Sequence, residues 1–239
     1  KTRAIVLINP NNPTGAVYDK ALLQEVVAVA REHGLVVFSD EIYDKILYDE
    51  AQHTSIASLA DDVFFVTFGG LSKNYRVAGF RSGWLVVSGN KRLASDYIDG
   101  LNILSSMRMC ANVPCQSAIQ TALGGYQSIN DLVNENGRLR IQRDVTTDML
   151  NGIDGISCVK PKGAMYCFAK VDEKKFNIHN DEQMVLDLLS SEKILLVHGR
   201  AFNLTEGTYF RLVFLPHSDV LVPALHRIGN FFRTYKQGA

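Results

Sequence analysis

Four short runs of almost wholly apolar, β-branched and aromatic residues constrain the fold of this 239-residue chain most tightly. They are "AIVLI" at 4–8, "LVVFSDE" at 35–41, "VFFVTF" at 63–68 and "GWLVVS" at 83–88. Apolar runs this short, bounded by turn formers, read as strands buried on both faces. Turn formers are dense after the first run, in "NPNNPTG". Residues 19–33 ("DKALLQEVVAVAREH") space their apolar side chains as a helix does, with Asp19 near the start and Gly34 at the stop. Strands alternating with helices predict an α/β layered domain around a mainly parallel sheet.

From about Asn90 to Leu150 the pattern is helical. "ANVPCQSAIQTALGGY" predicts one helix, and "INDLVNENGRLRIQRDVTTDMLNGI" a longer one that Asn130 or Asp131 would cap. After Gly152 the texture changes. "ISCVKPKGAMYCFAKV" predicts two strands around a Pro-Gly turn, "DEQMVLDLLSSEK" a helix, "ILLVHG" and "TYFRLVF" strands, and "DVLVPALHRIGNFFRTY" a closing helix. The prediction is a large α/β domain over 1–130 and a small α+β domain over 131–239.

Composition removes several function classes. Twenty-five basic residues balance twenty-five acidic ones, whereas a nucleic-acid binder usually carries a basic excess. No apolar run is long enough to span a membrane. The four cysteines, Cys110, Cys115, Cys158 and Cys167, form no CxxC pair, and no histidine stands at zinc-ligand spacing, so no metal site is expected. Buried or semi-buried free thiols fit a reducing compartment, and the protein is read as cytoplasmic.

In open sheets of this kind ligands sit at the carboxyl ends of the strands, and the chemically interesting residues gather there. Asn12 follows the first strand, Asp40 ends the second, and Lys73 follows the third in "FGGLSKNYRVAGFRSGW". An amine that forms a Schiff base must be deprotonated, and removal from water or nearby cations lower its pKa. Lys73 lies among Gly69, Gly70, Leu71 and Ser72, with Arg76 and Arg81 near in sequence. The plainer alternative is a lysine in an exposed loop. Asp40, partly desolvated at the sheet edge, wants a cationic partner such as a protonated pyridine nitrogen, or else it caps the next helix. Tyr43, one helical turn on, would reach the same ligand. Arg211, inside the strand "TYFRLVF", must be paired. Its fork suits a carboxylate, either of a ligand or of a structural acid.

Together, "NPNNPTG" (9–15), "SDEIYD" (39–44), "GGLSKNYRVAGFRSGW" (69–84), "PKGAMYCF" (161–168) and "YFRLVF" (209–214) resemble the fold-type-I aminotransferases that use pyridoxal phosphate. The bacterial glutamate–pyruvate (alanine) aminotransferases are the nearest group, and the match runs along essentially the whole chain. The resemblance implies a large cofactor-binding domain and a small C-terminal domain. It makes Lys73 the lysine that holds the cofactor covalently, Asp40 the acid on the pyridine nitrogen, and Tyr43 and Asn12 the groups beside the 3′-oxygen. Arg81 becomes the arginine on the phosphate. Arg211, with Asn12, becomes the holder of the substrate carboxylate. It further implies a cis Asn12–Pro13 bond, amino acids and 2-oxo acids as partners, and a homodimer with the site near the subunit interface.

One departure stands in the phosphate cup. Many relatives have a serine three residues before the lysine, where this chain has Gly70, and Ser72 is the alternative donor. The chain begins without Met inside an apolar run and looks like the C-terminal part of such an enzyme. The glycine turn and ring-stacking aromatic of the family's N-terminal part are not in it, so the chain alone is expected to be inactive. The leading expectation is reversible transamination of L-alanine and 2-oxoglutarate to pyruvate and L-glutamate. A pyridoxal-phosphate carbon–sulfur lyase and an aminotransferase-like effector domain of a transcription regulator are the alternatives.

Overall fold

The computed structural model describes residues 1–238. They form two compact units, one of residues 1–10 with 17–130, the other of residues 11–16 with the chain from 131 onward. In the first unit β1 (Ala4–Ile8), β2 (Val36–Asp40) and β3 (Phe64–Gly70) pair in chain order and in parallel. β4 (Gly83–Gly89) pairs with β3 antiparallel, so the sheet is mixed rather than wholly parallel. A parallel partner would need a crossover element. Between β3 and β4 the chain has only a short 3₁₀ turn at Ala78–Phe80, so it folds straight back.

Helix α1 (Lys20–His33) covers one face of this sheet. Leu23, Val27 and Ala30 lie on one stripe and pack with Leu35, Val37, Ile56, Val63 and Phe65. Burying each large aliphatic side chain stabilises by about 1.5–3 kcal/mol. The Asp19 carboxylate accepts the Leu22 N–H at 2.9 Å, and Gly34, left-handed at φ 60°, ends the helix. Helices α2 (Ser95–Arg108) and α3 (Val113–Gly124) follow, with Leu104, Met107 and Val113 exposed.

The predicted long helix from Ile129 is broken. One turn, α4 (Asn130–Val133), is followed by α5 (Arg138–Asn151). In between, the Asn134 side chain accepts the Asn136 N–H at 3.1 Å, and the Asn134 carbonyl accepts the Gly137 N–H at 2.9 Å. Asparagine side chains offer the backbone such alternatives to a helix. A Cβ on Gly137 would stand 2.4 Å from the Leu132 carbonyl group, so the close turn requires glycine.

The second unit is an antiparallel sheet of β5 (Ile156–Cys158), β6 (Tyr166–Val171), β8 (Thr208–Val213) and β7 (Val197–His198), in that order. Helices α5, α6 (Glu173–Phe176), α7 (Asp181–Glu192) and α8 (Ser218–Thr234) complete it. Leu221, Leu225, Ile228 and Phe232 form the buried stripe of α8. The expected strand "ILLVHG" is strand only at Val197–His198, with Leu195 exposed before it. All four thiols are free. Cys158 and Cys167 are buried and Cys115 half-buried, but Cys110 is exposed, contrary to the burial expected of it. Among the described residues no helix is long and apolar enough to cross a membrane.

Gly137→Ala is expected to destabilise the protein by about 1–3 kcal/mol, the usual result of forcing a methyl group into filled space. Thermal unfolding checks it. An unchanged melting temperature would mean that glycine does not fix the break between α4 and α5.

Candidate active site

In the first unit the parallel register brings the carboxyl ends of β1, β2 and β3 to one edge, with Ile8 opposite Asp40 and Asp40 opposite Phe68. The Asn9 N–H donates to the Asp40 carbonyl and the Glu41 N–H to the Phe68 carbonyl, each at 3.0 Å. Past Glu41 the chain leaves the sheet through turns, closed by Asp44 N–H to the Glu41 carbonyl (3.0 Å) and Ile46 N–H to the Tyr43 carbonyl (2.8 Å). The helical turn expected to relate Asp40 and Tyr43 is therefore a run of turns. Asp40 caps no helix. Its Oδ1 accepts the Ile42 N–H at 3.1 Å, and no described residue forms an ion pair with it.

Lys73 sits in a compact loop after β3. Leu71, fully buried, donates its N–H to the Ser82 carbonyl (3.0 Å), and Val77 closes the loop back onto Leu71 (3.3 Å). The neighbour of Lys73, buried Asn74, donates its amide to Asp44 at 2.5 Å and so ties the lysine loop to the Asp40–Tyr43 turn. The Lys73 Nζ lies 6.0 Å from the centre of the buried Tyr43 ring. Its amine makes no hydrogen bond or ion pair with any described residue. Two non-glycine residues here adopt left-handed backbone, Arg76 (φ 59°) and Arg81 (φ 51°). Such strain clusters at functional sites. Arg81 is exposed, and its guanidinium donates to the Ala78 carbonyl at 2.8 Å.

In the second unit Arg211 on β8 and Asn12 meet although they are far apart in sequence. The Arg211 Nη1 donates to the Asn12 Oδ1 at 2.8 Å. The Asn9–Pro10 and Asn12–Pro13 bonds are both cis, the second as expected. The Gly15 carbonyl accepts the N–H groups of Lys162 and Gly163, both at 2.9 Å, which joins the Asn12 segment to the "PKG" turn. The guanidinium carbon of Arg211 lies 4.6 Å from the Tyr166 ring centre and 4.8 Å from that of Phe202. No acid among the described residues pairs with it, and its buried Nε has no hydrogen-bond partner. The expected pairing is thus not met by a structural acid.

Sequence reasoning missed the partners of these groups. Asp44 stands inside "SDEIYD", but nothing in the sequence ties it to Asn74. Phe202 lies in the 3₁₀ turn Gly199–Phe202, which carries no motif. Glu41, the second of the two acids that end the β2 run, is buried beside Ser39, His53 and Ser55. The doubled acid was its only signal.

The donor set has a definite chemistry. A half-buried carboxylate without a cation, a half-buried amine without an anion and a buried phenol suit a ring nitrogen base that carries an aldehyde and an ionisable hydroxyl. The Ser72 hydroxyl, also without a hydrogen-bond partner among the described residues, is available to an anion, whereas Gly69 and Gly70 lie in the β3–β4 ladder and the Leu71 N–H is taken by the Ser82 carbonyl. Arg211, held in its plane by two rings, is a fork for a carboxylate.

Comparison with known proteins gives the family. The family model "Aminotransferase class I and II" matches residues 1–228. The chain is 60% identical to the glutamate-pyruvate aminotransferase AlaA of Haemophilus influenzae, over 99% of this chain and 59% of that protein. It is 55% identical to the alanine aminotransferase of Mycobacterium tuberculosis, over 99% of this chain and 55% of that one. A crystal structure of an aminotransferase from Escherichia coli superposes with a TM-score of 0.98 at 58% identity, covering 99% of this chain and 59% of the other. An alanine aminotransferase from Pyrococcus furiosus gives a TM-score of 0.90 at 37% identity, covering 97% and 58%. The chain spans a little under three-fifths of the length of these relatives. With the family model matched along nearly all of it, the chain belongs to the class I and II aminotransferases.

Proposed function

We propose that the complete protein is a pyridoxal-phosphate aminotransferase that passes the amino group of L-alanine to 2-oxoglutarate, reversibly, giving pyruvate and L-glutamate. The observation that carries this reading is a carboxyl group and an amine in one unit, neither with an ionic partner. Asp40 ends β2 and Lys73 follows its parallel neighbour β3, and neither has an ion-pair partner among the described residues. The names of the relatives support the choice of alanine and glutamate. We read residues 1–130 as the remainder of the cofactor-binding domain and 131–239 as the small domain. A cytoplasmic homodimer with its site near the subunit interface completes the reading.

Pyridoxal phosphate, when bound, supplies a sink for the electron pair left on the substrate's α-carbon. The residues of this chain do the rest. The Lys73 amine would hold the cofactor covalently and would carry the proton at the substrate's α-carbon. Asp40 would keep a proton on the pyridine nitrogen, its carboxylate facing the resulting positive charge. The Tyr43 hydroxyl would donate to the cofactor's 3′-oxygen, and the Asn12 amide is read as a second group for that oxygen. Arg81, released from the Ala78 carbonyl, would hold the phosphate, with the Ser72 hydroxyl as the alternative donor. Arg211 grips the substrate α-carboxylate through two parallel hydrogen bonds, with its plane fixed by Tyr166, Phe202 and Asn12. The same residues act in both halves of the reaction, because alanine and glutamate present the same α-carboxylate.

Asp40→Ala in the complete protein is expected to slow each half-reaction by about tenfold or more, since a hydrogen bond to a charged group contributes about 1.5–3 kcal/mol. Stopped-flow rates with alanine alone and with 2-oxoglutarate alone check it. Rates within about threefold of the parent protein, less than 1 kcal/mol, would contradict the assignment.

Arg211→Lys is expected to raise the Michaelis constants for alanine and glutamate together by about tenfold or more, because a lysine cannot reproduce the two-bond grip. The affinity for pyridoxal phosphate should not change. A lower melting temperature with both constants near the parent values would instead make Arg211 a structural residue.

A further inference from the structure

Glu41 is a puzzle on its own. Its carboxylate is about nine-tenths buried, at 9% exposure, at the point where the chain leaves the sheet. Burial is expensive for such a group unless it is fully satisfied. Here it is satisfied with care. The hydroxyls of Ser39 and Ser55 both donate to the Glu41 Oε1 at 2.9 Å, and the His53 Nε2 lies 3.7 Å from the Oε2. Burial pushes the carboxyl above the usual range, the nearby Asp44 adds to the rise, and His53 with the two serines opposes it.

The location gives the network its meaning. Side chains alternate along a strand, so Ser39 faces the α1 core with Val37 while Asp40 points to the opposite side with Phe38. Ser55 stands at the head of the 3₁₀ turn Ile56–Ser58, and Ile56 is part of that same core. The Glu41 carboxylate therefore fastens the chain to the core immediately after Asp40. The Glu41 N–H to the Phe68 carbonyl is the last sheet bond before the turns begin. One residue further, the Ile42 N–H holds the Asp40 Oδ1, so the rotamer of Asp40 depends on where Glu41 sets Ile42. Tyr43 follows directly.

We propose that Glu41 is the positioning residue of the cofactor acid: anchored by Ser39, Ser55 and His53, it sets the Ile42 N–H that aims Asp40 and the turn that presents Tyr43. The inference rests on the reading of Asp40 as the partner of the pyridine nitrogen. It assigns Glu41 no contact with substrate or cofactor.

The test uses the complete protein stripped of cofactor and titrated with pyridoxal phosphate. It also follows the visible absorption band of the reloaded protein as a function of pH, and its melting temperature. Glu41→Ala is expected to weaken cofactor binding by about tenfold, the scale on which supporting residues act on the groups they orient, and to move the midpoint of the band's pH titration. Glu41→Gln keeps an oxygen that accepts both serine hydroxyls and should restore both readouts. Wild-type affinity and midpoint in Glu41→Ala, with only a lower melting temperature, would overturn the proposal, as would Glu41→Gln behaving like Glu41→Ala. If Glu41→Ala does not fold, Ser55→Ala removes one of the two donors. It should change both readouts in the same direction by less, and no change overturns the proposal. Asp40→Ala run alongside separates the two levels. If it leaves affinity and midpoint untouched, the reading of Asp40 fails. If it changes them and Glu41→Ala does not, only the positioning role of Glu41 fails.

Discussion

The parallel ladder of β1, β2 and β3 is the constraint on which the first unit depends. Parallel strands carry their carboxyl ends to the same edge, and each ends here in a loop rich in polar groups. Asn9, Asp40 and the Lys73 loop are neighbours for that reason alone, although they are far apart in the chain. The runs were expected to be buried on both faces, but Val6 on β1, Phe68 on β3 and Val86 on β4 are exposed, so an apolar run does not by itself report burial of both faces. α1 covers one face through Leu23, Val27 and Ala30.

At that edge the protein keeps charges apart from their opposites. Asp40 and Lys73 are held by backbone and neighbouring groups rather than by ions: Asp40 by the Ile42 N–H, the lysine loop by the Asn74–Asp44 bond. In the second unit Arg211 is treated the same way. Two aromatic rings and one amide hold the guanidinium, while its Nε is left without a partner. Stacking on rings fixes an arginine without neutralising it. Groups held in place by backbone, amide and ring contacts, without an ionic partner, are oriented before any ligand arrives. The cost is carried by the surrounding hydrogen-bond network, of which the buried Glu41 is the clearest member.

Much of this was legible in the sequence, and the reasons differ by level. Strand runs and amphipathic helices are local, so α1, α8 and β8 fall where the periodicity puts them. Asp40, Lys73 and Arg211 could be singled out because each interrupts or ends an apolar run. What the sequence did not show rests on contacts between distant residues: Glu41 with Ser55 and Asp44 with Asn74. No spacing rule couples such positions. The direction of β4 and the break before α5 were hidden differently. The first depends on the connection being too short for a crossover, the second on a side-chain bond from Asn134 that competes with the helix. The family resemblance, resting on ordered motifs, carried the assignment of roles further than any single residue did.

The central claim is that Lys73 is the amine through which the protein holds its cofactor. Borohydride reduction of the complete, cofactor-loaded protein would fix the linkage, and peptide mass mapping would locate it. The account predicts the phosphopyridoxyl mass on the peptide that contains Lys73, and its loss in Lys73→Ala. The label on any other lysine would contradict it.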